Sequence, residues 1–150
     1  MKTGIIIVDH GSRREESNLL LEQVARAFGE RFAAKYSIVE PAHMELAEPS
    51  IASAYAKCVE RGAERVVVCP YFLGPGKHWT QDIPRITQEA AQAFPKTRYH
   101  VTQTLGLDEL MLQLLEKRVD HCCEKGYSCE ACKGTIREGN EAVPTVVKVP

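Results

Sequence analysis

Two histidines and one glutamate are the residues of this chain best suited to hold a metal ion. His10 directly follows a run of β-branched residues at 5–8, Glu45 follows a shorter apolar stretch, and His78 ends a loop rich in Gly, Pro and aromatic residues. Neutral imidazole binds Fe, Co, Ni, Cu and Zn, and a carboxylate adds negative charge and can accept protons. The three side chains therefore suit an open metal site, although each histidine could instead only cap its loop.

The elements that must position these side chains follow from the hydrophobic pattern. Strands are expected at 5–8, 37–41, 65–69 and 98–102, and helices near 20–32, 49–62, 80–93 and 107–123. Pro49 suits the first position of the second helix, and Gly62 suits its C-terminal cap. The alternation predicts a flavodoxin-like α/β fold, a four-stranded parallel sheet in the order 2-1-3-4 with helices on both faces.

In this strand order the chain reverses between strands one and three, which opens a crevice at their carboxyl ends. His10 and His78 are predicted to face each other across this crevice, with Glu45 nearby. His43 shares a loop with Glu45, and a supporting or purely structural role is expected for it. His100 within a strand and His121 on a helix are expected to be structural.

Composition narrows the classes of function. Nineteen basic and 20 acidic residues leave a net charge of −1, which argues against nucleic acid as a partner. No run approaches the roughly 18 apolar residues of a membrane span, and neither a signal nor a transit peptide precedes the first strand. We expect a soluble chain with one domain at 1–124 and a cysteine-rich, flexible extension at 125–150. The protein is expected either in the cytoplasm or in an organelle, and in the second case the sequence is that of the chain after its targeting segment has been removed.

The six cysteines divide into two groups. Cys58 and Cys69 fall inside predicted elements and are expected to be small buried hydrophobic residues. The other four lie within eleven positions: Cys122, Cys123, Cys129 and Cys132. Four thiolates this close suit an iron-sulfur cluster better than one tetrahedral Zn²⁺, because adjacent side chains at a helix end diverge. A dithiol/disulfide switch on the CxxC pair is the alternative.

Three ordered motifs resemble the small class II tetrapyrrole chelatases of the CbiX and SirB type, over about residues 2–121. They are His10-Gly11-Ser12-Arg13, then Glu40-Pro41-Ala42 with residues 45–51, and Pro70-Tyr71-Phe72-Leu73 followed by Gly76-Lys77-His78. The resemblance implies a lyase that inserts Fe²⁺ into sirohydrochlorin to give siroheme, with release of two protons. The alternatives are a Co²⁺ chelatase of the cobalamin pathway and a non-catalytic metal-binding or redox-sensing protein.

The same resemblance implies roles for individual residues. The family's paired metal-site histidines correspond to His10 and His78, and its acidic residue corresponds to Glu45, so these three are the expected catalytic residues. Ser12, Arg13 and Lys77 are expected to bind the many carboxylates of the macrocycle, with help from Arg14 and Arg85, while Tyr71, Phe72 and Trp79 could face its flat surface. Family members often have an apolar residue where this chain has His43.

The cysteine-rich extension resembles that of the plant members of this family, which carry a 2Fe-2S cluster. This likeness implies Cys122, Cys123, Cys129 and Cys132 as cluster ligands, iron as the inserted metal and the chloroplast stroma as the location. Members of this length also resemble half of a double-length chelatase, so a homodimer with the macrocycle near its interface is expected.

Overall fold

The computed structural model describes residues 1–139, and the chain divides into two compact units. The first unit is Met1–Gly106 and the second begins at Leu107. This boundary falls ahead of the fourth helix, whereas the sequence-based division at residue 124 follows it and stays a prediction. Within the described residues, no helix combines the length and apolar character needed to cross a membrane.

The first unit is built on a four-stranded parallel sheet. Its strands are β1 (Thr3–Asp9), β2 (Ile38–His43), β3 (Arg65–Pro70) and β4 (Arg98–Val101), in the order β2-β1-β3-β4. This order confirms the flavodoxin-like prediction, and it places the carboxyl ends of β1, β2 and β3 side by side at one edge.

Helices cover both faces of the sheet, as predicted. Helix α1 (Glu15–Arg31) packs Leu21 and Ala25 against the face that carries Ile5 and Ile7. Helices α2 (Ile51–Glu60) and α3 (Ile83–Gln92) cover the opposite face around Ile6. Because β1 lies between two layers, Gly4 to Val8 are all buried, which is why its sequence is a continuous apolar run.

The structure also tests the predicted ends of α2 and the predicted burial of Cys58 and Cys69. The prediction that Pro49 opens the helix is wrong, because Ser50 is the N-cap and its hydroxyl accepts the Ser53 N–H, so Pro49 precedes the cap. Gly62 ends the helix with φ +91°, as predicted. Cys58 is fully buried as expected, whereas Cys69 is only half-buried on the α1 face.

The second unit consists of α4 (Glu109–Glu124), a series of turns and a 3-10 helix at Ile136–Glu138. Asp108 caps α4 by accepting the Leu110 N–H. The predicted apolar stripe of α4 is exposed rather than buried, with exposed fractions between 41% and 72% for Leu110, Leu114, Leu115 and Val119. Residues 140–150 of the predicted flexible extension lie outside the described residues.

Candidate metal-binding site

The loop after β1 presents His10 and is held by the loop after β2. The Met44 N–H donates to the Asp9 carbonyl at 2.8 Å, and the Glu45 N–H donates to the His10 carbonyl at 3.1 Å. Gly11 has φ +87°, and a Cβ at this position would lie 1.8 Å from the Glu45 carbonyl oxygen. Only glycine fits here, so the HGS sequence reflects the close approach of the two loops.

The His10 ring lies between two acceptors. Its Nε2 is 2.9 Å from Glu45 Oε1, and its Nδ1 is 3.1 Å from the Gly11 carbonyl oxygen. A carboxylate and a carbonyl both accept, and a neutral imidazole can donate to only one of them. With the ring proton on Nδ1, the Nε2 lone pair and the Glu45 carboxylate face each other, and a cation between them would satisfy both.

His78 is fixed by a residue that the sequence analysis missed. It begins a π-helix, His78–Asp82, in which the Ile83 N–H donates to the His78 carbonyl. The wider π turn aligns positions four apart, and His78 Nδ1 lies 2.8 Å from Asp82 Oδ2. Asp82 therefore orients the ring and holds a proton on Nδ1, which leaves Nε2 as the ligand atom. The His-x3-Asp spacing was the available signal.

The two predicted histidines meet at the sheet edge. The ring centroids of His10 and His78 are 4.9 Å apart, and the rings are tilted by 59°. Both rings and the Glu45 side chain are about half-exposed, so a ligand can approach them from solvent. Within residues 1–139, no three His, Cys, Asp or Glu side chains are already spaced as a metal shell. The imidazole pair and the Glu45 carboxylate thus form an open constellation that closes around a cation only after small side-chain shifts.

The residues that were expected to bind the macrocycle lie around this edge, but they differ in exposure and in whether they already have a partner. Arg13 and Lys77 are exposed, and no carboxylate of the described residues pairs with either one. The Ser12 hydroxyl accepts the Arg14 N–H at 3.0 Å, which helps to start α1. Arg85 instead forms an ion pair with a residue one helical turn further along, Glu89. Arg14, at the N-cap of α1, is also exposed and has no carboxylate partner among the described residues. Arg13, Arg14 and Lys77 are therefore the cations available to an anionic ligand at this edge.

The three aromatic candidates also differ. Tyr71 is exposed, whereas Phe72 packs against the core below the sheet edge. Trp79 is half-buried, and its indole N–H donates to the Thr102 carbonyl at 2.9 Å, which ties the π-helix to the end of β4. Tyr71 is therefore the most accessible of the three rings to a ligand.

Three of the four clustered cysteines come together in the second unit. Cys129 Sγ and Cys132 Sγ are 3.1 Å apart, and Cys122 lines the same cavity as these two residues. Hydrogen bonds from the Cys132 thiol and the Ala131 N–H lower the pKa of Cys129 to about 7. Cys123 is exposed on the other side of the helix end, with its thiol 3.5 Å from the Tyr127 hydroxyl. The predicted set of four is thus divided into three plus one.

A parallel sheet carrying two half-exposed imidazoles and a carboxylate at its switch point is an arrangement suited to binding and passing on a divalent cation. Residues 4–122 match the CbiX family, and the chain belongs to that family. This match spans the whole sheet and all three motifs, and it bears out the family resemblance seen in the sequence.

The chain is also similar to individual proteins. It is 52% identical over 136 residues to the chloroplastic sirohydrochlorin ferrochelatase of Arabidopsis thaliana, covering 88% of this chain and 60% of that protein. Two solved structures share the fold at 32% and 33% identity. One is SirB from Bacillus subtilis with Fe³⁺, with a TM-score of 0.66 and coverage of 79% of this chain and 46% of SirB. The other is the sirohydrochlorin chelatase SirB of Bacillus subtilis subspecies spizizenii with cobalt, with a TM-score of 0.67 and coverage of 80% and 50%. This chain therefore spans about half to three fifths of the length of these relatives.

Proposed function

We propose that this protein is a sirohydrochlorin ferrochelatase, a lyase that inserts Fe²⁺ into sirohydrochlorin and releases two protons. The observation that carries the proposal is the pair of imidazoles 4.9 Å apart, with the Glu45 carboxylate 2.9 Å from one of them, at the sheet edge. Similarity to the plant ferrochelatase over 88% of the chain supports the same reaction and iron as the metal.

The mechanism follows from conservation of charge. Fe²⁺ arrives as substrate and binds to Nε2 of His10 and His78, beside the Glu45 carboxylate. The two pyrrole N–H groups of the macrocycle must lose their protons as the ring takes the cation. Each imidazole nitrogen or carboxylate oxygen that the metal leaves becomes a free base at the same place, so it can accept a pyrrole proton as the ring nitrogens replace it on the metal. Metal delivery and proton removal are thus performed together by the same atoms.

The exposed cations around the metal-binding edge would orient the macrocycle. Sirohydrochlorin carries carboxylates around its edge. Arg13 and Arg14 beside His10, and Lys77 beside His78, are exposed cations with no carboxylate partner among the described residues. Charge-assisted hydrogen bonds from these side chains would hold the ring with its centre over the metal. Ser12 would add a hydroxyl donor, since its oxygen accepts the Arg14 N–H and no acceptor among the described residues takes its proton.

The decisive experiment measures sirohydrochlorin turnover by its absorption spectrum, for the parent, His10→Ala and His78→Ala. Each substitution removes one metal ligand and one proton acceptor, so kcat/KM should fall by at least about 100-fold. His100→Ala, at an exposed position of β4, is the matched control and should retain activity. A parent that binds metal but leaves the spectrum of sirohydrochlorin unchanged would support the non-catalytic alternative.

Cobalt insertion is the second candidate reaction. Imidazole and carboxylate ligands bind Co²⁺ at least as tightly as Fe²⁺ in the divalent series, so the site alone does not exclude cobalt. The cobalt-bound relative favours the same alternative. Insertion rates measured side by side under anaerobic conditions decide between them, and a higher kcat/KM for Co²⁺ at equal free metal would assign the protein to cobalamin synthesis.

We further propose that the clustered thiols hold a 2Fe-2S cluster as a resident cofactor. The convergence of Cys122, Cys129 and Cys132 supplies three soft ligands, and Cys123 would have to turn away from Tyr127 to become the fourth. Bound there, the cluster would supply one-electron redox chemistry. Protein purified anaerobically should be coloured and contain acid-labile sulfide, and Cys129→Ser should lose both.

A dithiol/disulfide pair at Cys129 and Cys132 is the competing use of these residues. The 3.1 Å separation of the two sulfurs and the lowered pKa of Cys129 favour it, because the thiolate is the form that attacks a disulfide. Oxidation by glutathione disulfide would form the Cys129–Cys132 bond, and one glutathione disulfide would be reduced to two glutathione thiols that take up the two protons of the protein thiols. A colourless, sulfide-free protein with a reversible Cys129–Cys132 disulfide would select this alternative.

Assembly as a homodimer and residence in the plastid complete the proposal. The exposed apolar stripe of α4 supports association, and the chain matches only about half of the Bacillus relatives. The chloroplastic location of the plant relative supports the plastid stroma. Immunoblots of purified stroma test this location, and recovery of the protein only in the cytosol would overturn it.

A further inference from the structure

A third histidine lies directly beneath the metal-binding edge and takes no part in the proposed insertion reaction. His43 is fully buried at the end of β2, opposite Asp9 at the end of β1. Its Nδ1 is 2.6 Å from Asp9 Oδ1, and its Nε2 is buried without a partner among the described residues. A buried imidazole with one ring nitrogen unpaired costs free energy, so its presence here calls for a function.

The bonding pattern fixes the tautomer of the ring. The Asp9 carboxylate can only accept, so the proton lies on Nδ1 of His43 and the unpaired Nε2 is a lone pair. With the proton on Nδ1, the Nε2 of His43 faces the interior as an acceptor that has no hydrogen-bond partner among the described residues. His43 therefore acts as a single fixed donor that holds the Asp9 carboxylate.

The same carboxylate oxygen connects the two loops of the site. Asp9 Oδ1 also accepts the Gly11 N–H at 2.9 Å, so it holds the loop immediately beyond His10 while it is itself held by β2. The backbone bonds from Met44 and Glu45 to the carbonyls of residues 9 and 10 continue this connection. The side-chain pair and the backbone bonds together set the separation of His10 and Glu45.

We propose that Asp9 and His43 form a positioning pair that preorganises His10 and Glu45 for the metal substrate. The pair touches neither metal nor macrocycle, and it acts by holding both loops in one register, so that the cation finds its ligands already in place. This inference rests on the proposed function of the same site. Its consequence is specific: loosening the pair weakens metal binding and leaves the affinity for the macrocycle unchanged.

The test compares His43→Leu, which removes the donor, with His43→Asn, whose amide N–H occupies nearly the place of Nδ1–H. The dissociation constant of Co²⁺ is measured by calorimetric titration of the full chain, with its thiols blocked by N-ethylmaleimide. We expect it to rise about tenfold in the Leu variant and to return to within about threefold of the parent in the Asn variant. Asp9→Asn keeps the size of the side chain but not its charge and should weaken Co²⁺ binding by a similar factor. This variant still tests the inference if His43→Leu fails to fold.

Tyr55→Phe is the matched control for lost stability. It removes another buried hydrogen bond, from the Tyr55 hydroxyl to Thr97, in the core and away from the sheet edge. This variant should unfold at a lower temperature and bind Co²⁺ as the parent does. A purely structural role for His43 predicts the same result for His43→Leu, and that result would overturn the inference.

Steady-state kinetics separate this inference from the proposed function. In active protein, His43→Leu should raise KM for the metal about tenfold, with little change in kcat or in KM for sirohydrochlorin. A lower kcat with unchanged metal KM would contradict a positioning role. If the parent inserts no metal, the proposed function fails, while the Co²⁺ titrations still decide whether the pair preorganises a metal site.

Discussion

At the scale of single residues, the partner of each imidazole decides which ring nitrogen is available for metal. Asp82 holds Nδ1 of His78 at 2.8 Å. We expect Asp82→Asn to weaken Co²⁺ binding by about 10 to 100-fold, because the amide can present its N–H to the ring and favour the wrong tautomer. Calorimetric titration measures this change. Glu89→Gln, an exposed carboxylate further along α3, is the control, and equal losses in both variants would contradict the prediction.

The reactivity of Cys129 is a second property set by single partners. Its pKa is lowered to about 7, chiefly by the Cys132 thiol, while burial raises the pKa of Cys58 to about 12. Alkylation requires the thiolate, so the rate at Cys129, which is 5% exposed, should rise with pH and level off above about 7. Cys58, with 0% exposure and a raised pKa, should stay unreactive in folded protein. Mass spectrometry after iodoacetamide pulses at pH 5 to 10 measures both sites in apoprotein.

Cys132→Ala provides the internal check on that pH profile. Without the Cys132 thiol the largest stabilising contribution to the Cys129 thiolate is removed, so the pKa of Cys129 should move back towards its ordinary value near 9. The alkylation midpoint should shift to higher pH by the same amount. An unshifted midpoint would mean that the backbone N–H groups, rather than the neighbouring thiol, set the reactivity.

A site residue can be predicted from the sequence when the path of the backbone alone brings it to the site. His10, Glu45 and His78 could be placed at one edge because each follows a strand of a parallel sheet, and that follows from the hydrophobic pattern. The pairing of His78 with Asp82 had only the His-x3-Asp spacing as a signal, because the π turn that brings them together has no sequence pattern of its own. A supporting or structural role was expected for His43, but its partner Asp9 could not be named, because their contact joins side chains of two strands.

At the scale of elements, the turn after β1 is the most constrained local structure. Gly11→Ala would place a Cβ 1.8 Å from the Glu45 carbonyl oxygen, at φ +87°. We expect the variant to lose at least about 3 kcal/mol of unfolding free energy, because backbone strain and the clash add together, and to lose metal binding. Chemical denaturation measures this loss. Gly74→Ala, where nothing lies within 4 Å, should unfold like the parent.

Element boundaries were predicted best where the core decides them. The apolar run at 5–8 identified β1 to within two residues, because a strand buried on both faces has no polar positions. The start of α2 was predicted wrongly at Pro49, since a side-chain cap from Ser50 outweighs the preference of proline for the first turn. The π-helix at His78–Asp82 was taken for loop and the start of an α-helix.

At the scale of the whole molecule, sequence periodicity finds an apolar helix face without saying what covers it. The stripe on α4 was predicted correctly as helical, yet Leu110, Leu115 and Val119 remain largely exposed. Because roughly two thirds of each residue is exposed, covering it would contribute about 1 to 2 kcal/mol, so that several of them together could drive association. A single chain contains no pattern that distinguishes a core-facing stripe from one that faces a second copy.

In the proposed homodimer, the apolar stripe of α4 would form the interface, and this can be tested. Leu110→Glu combined with Leu114→Glu places two charges where burial would otherwise stabilise association, so the variant should sediment as a monomer at concentrations where the parent is dimeric. Gln113→Glu adds a charge to the polar face of the same helix, and this variant should sediment with the same mass as the parent. If the macrocycle binds near the dimer interface, the monomeric variant should also lose insertion activity while keeping Co²⁺ affinity at His10 and His78. A parent that is monomeric at micromolar concentration, or a double variant that remains dimeric, would remove α4 from the assembly.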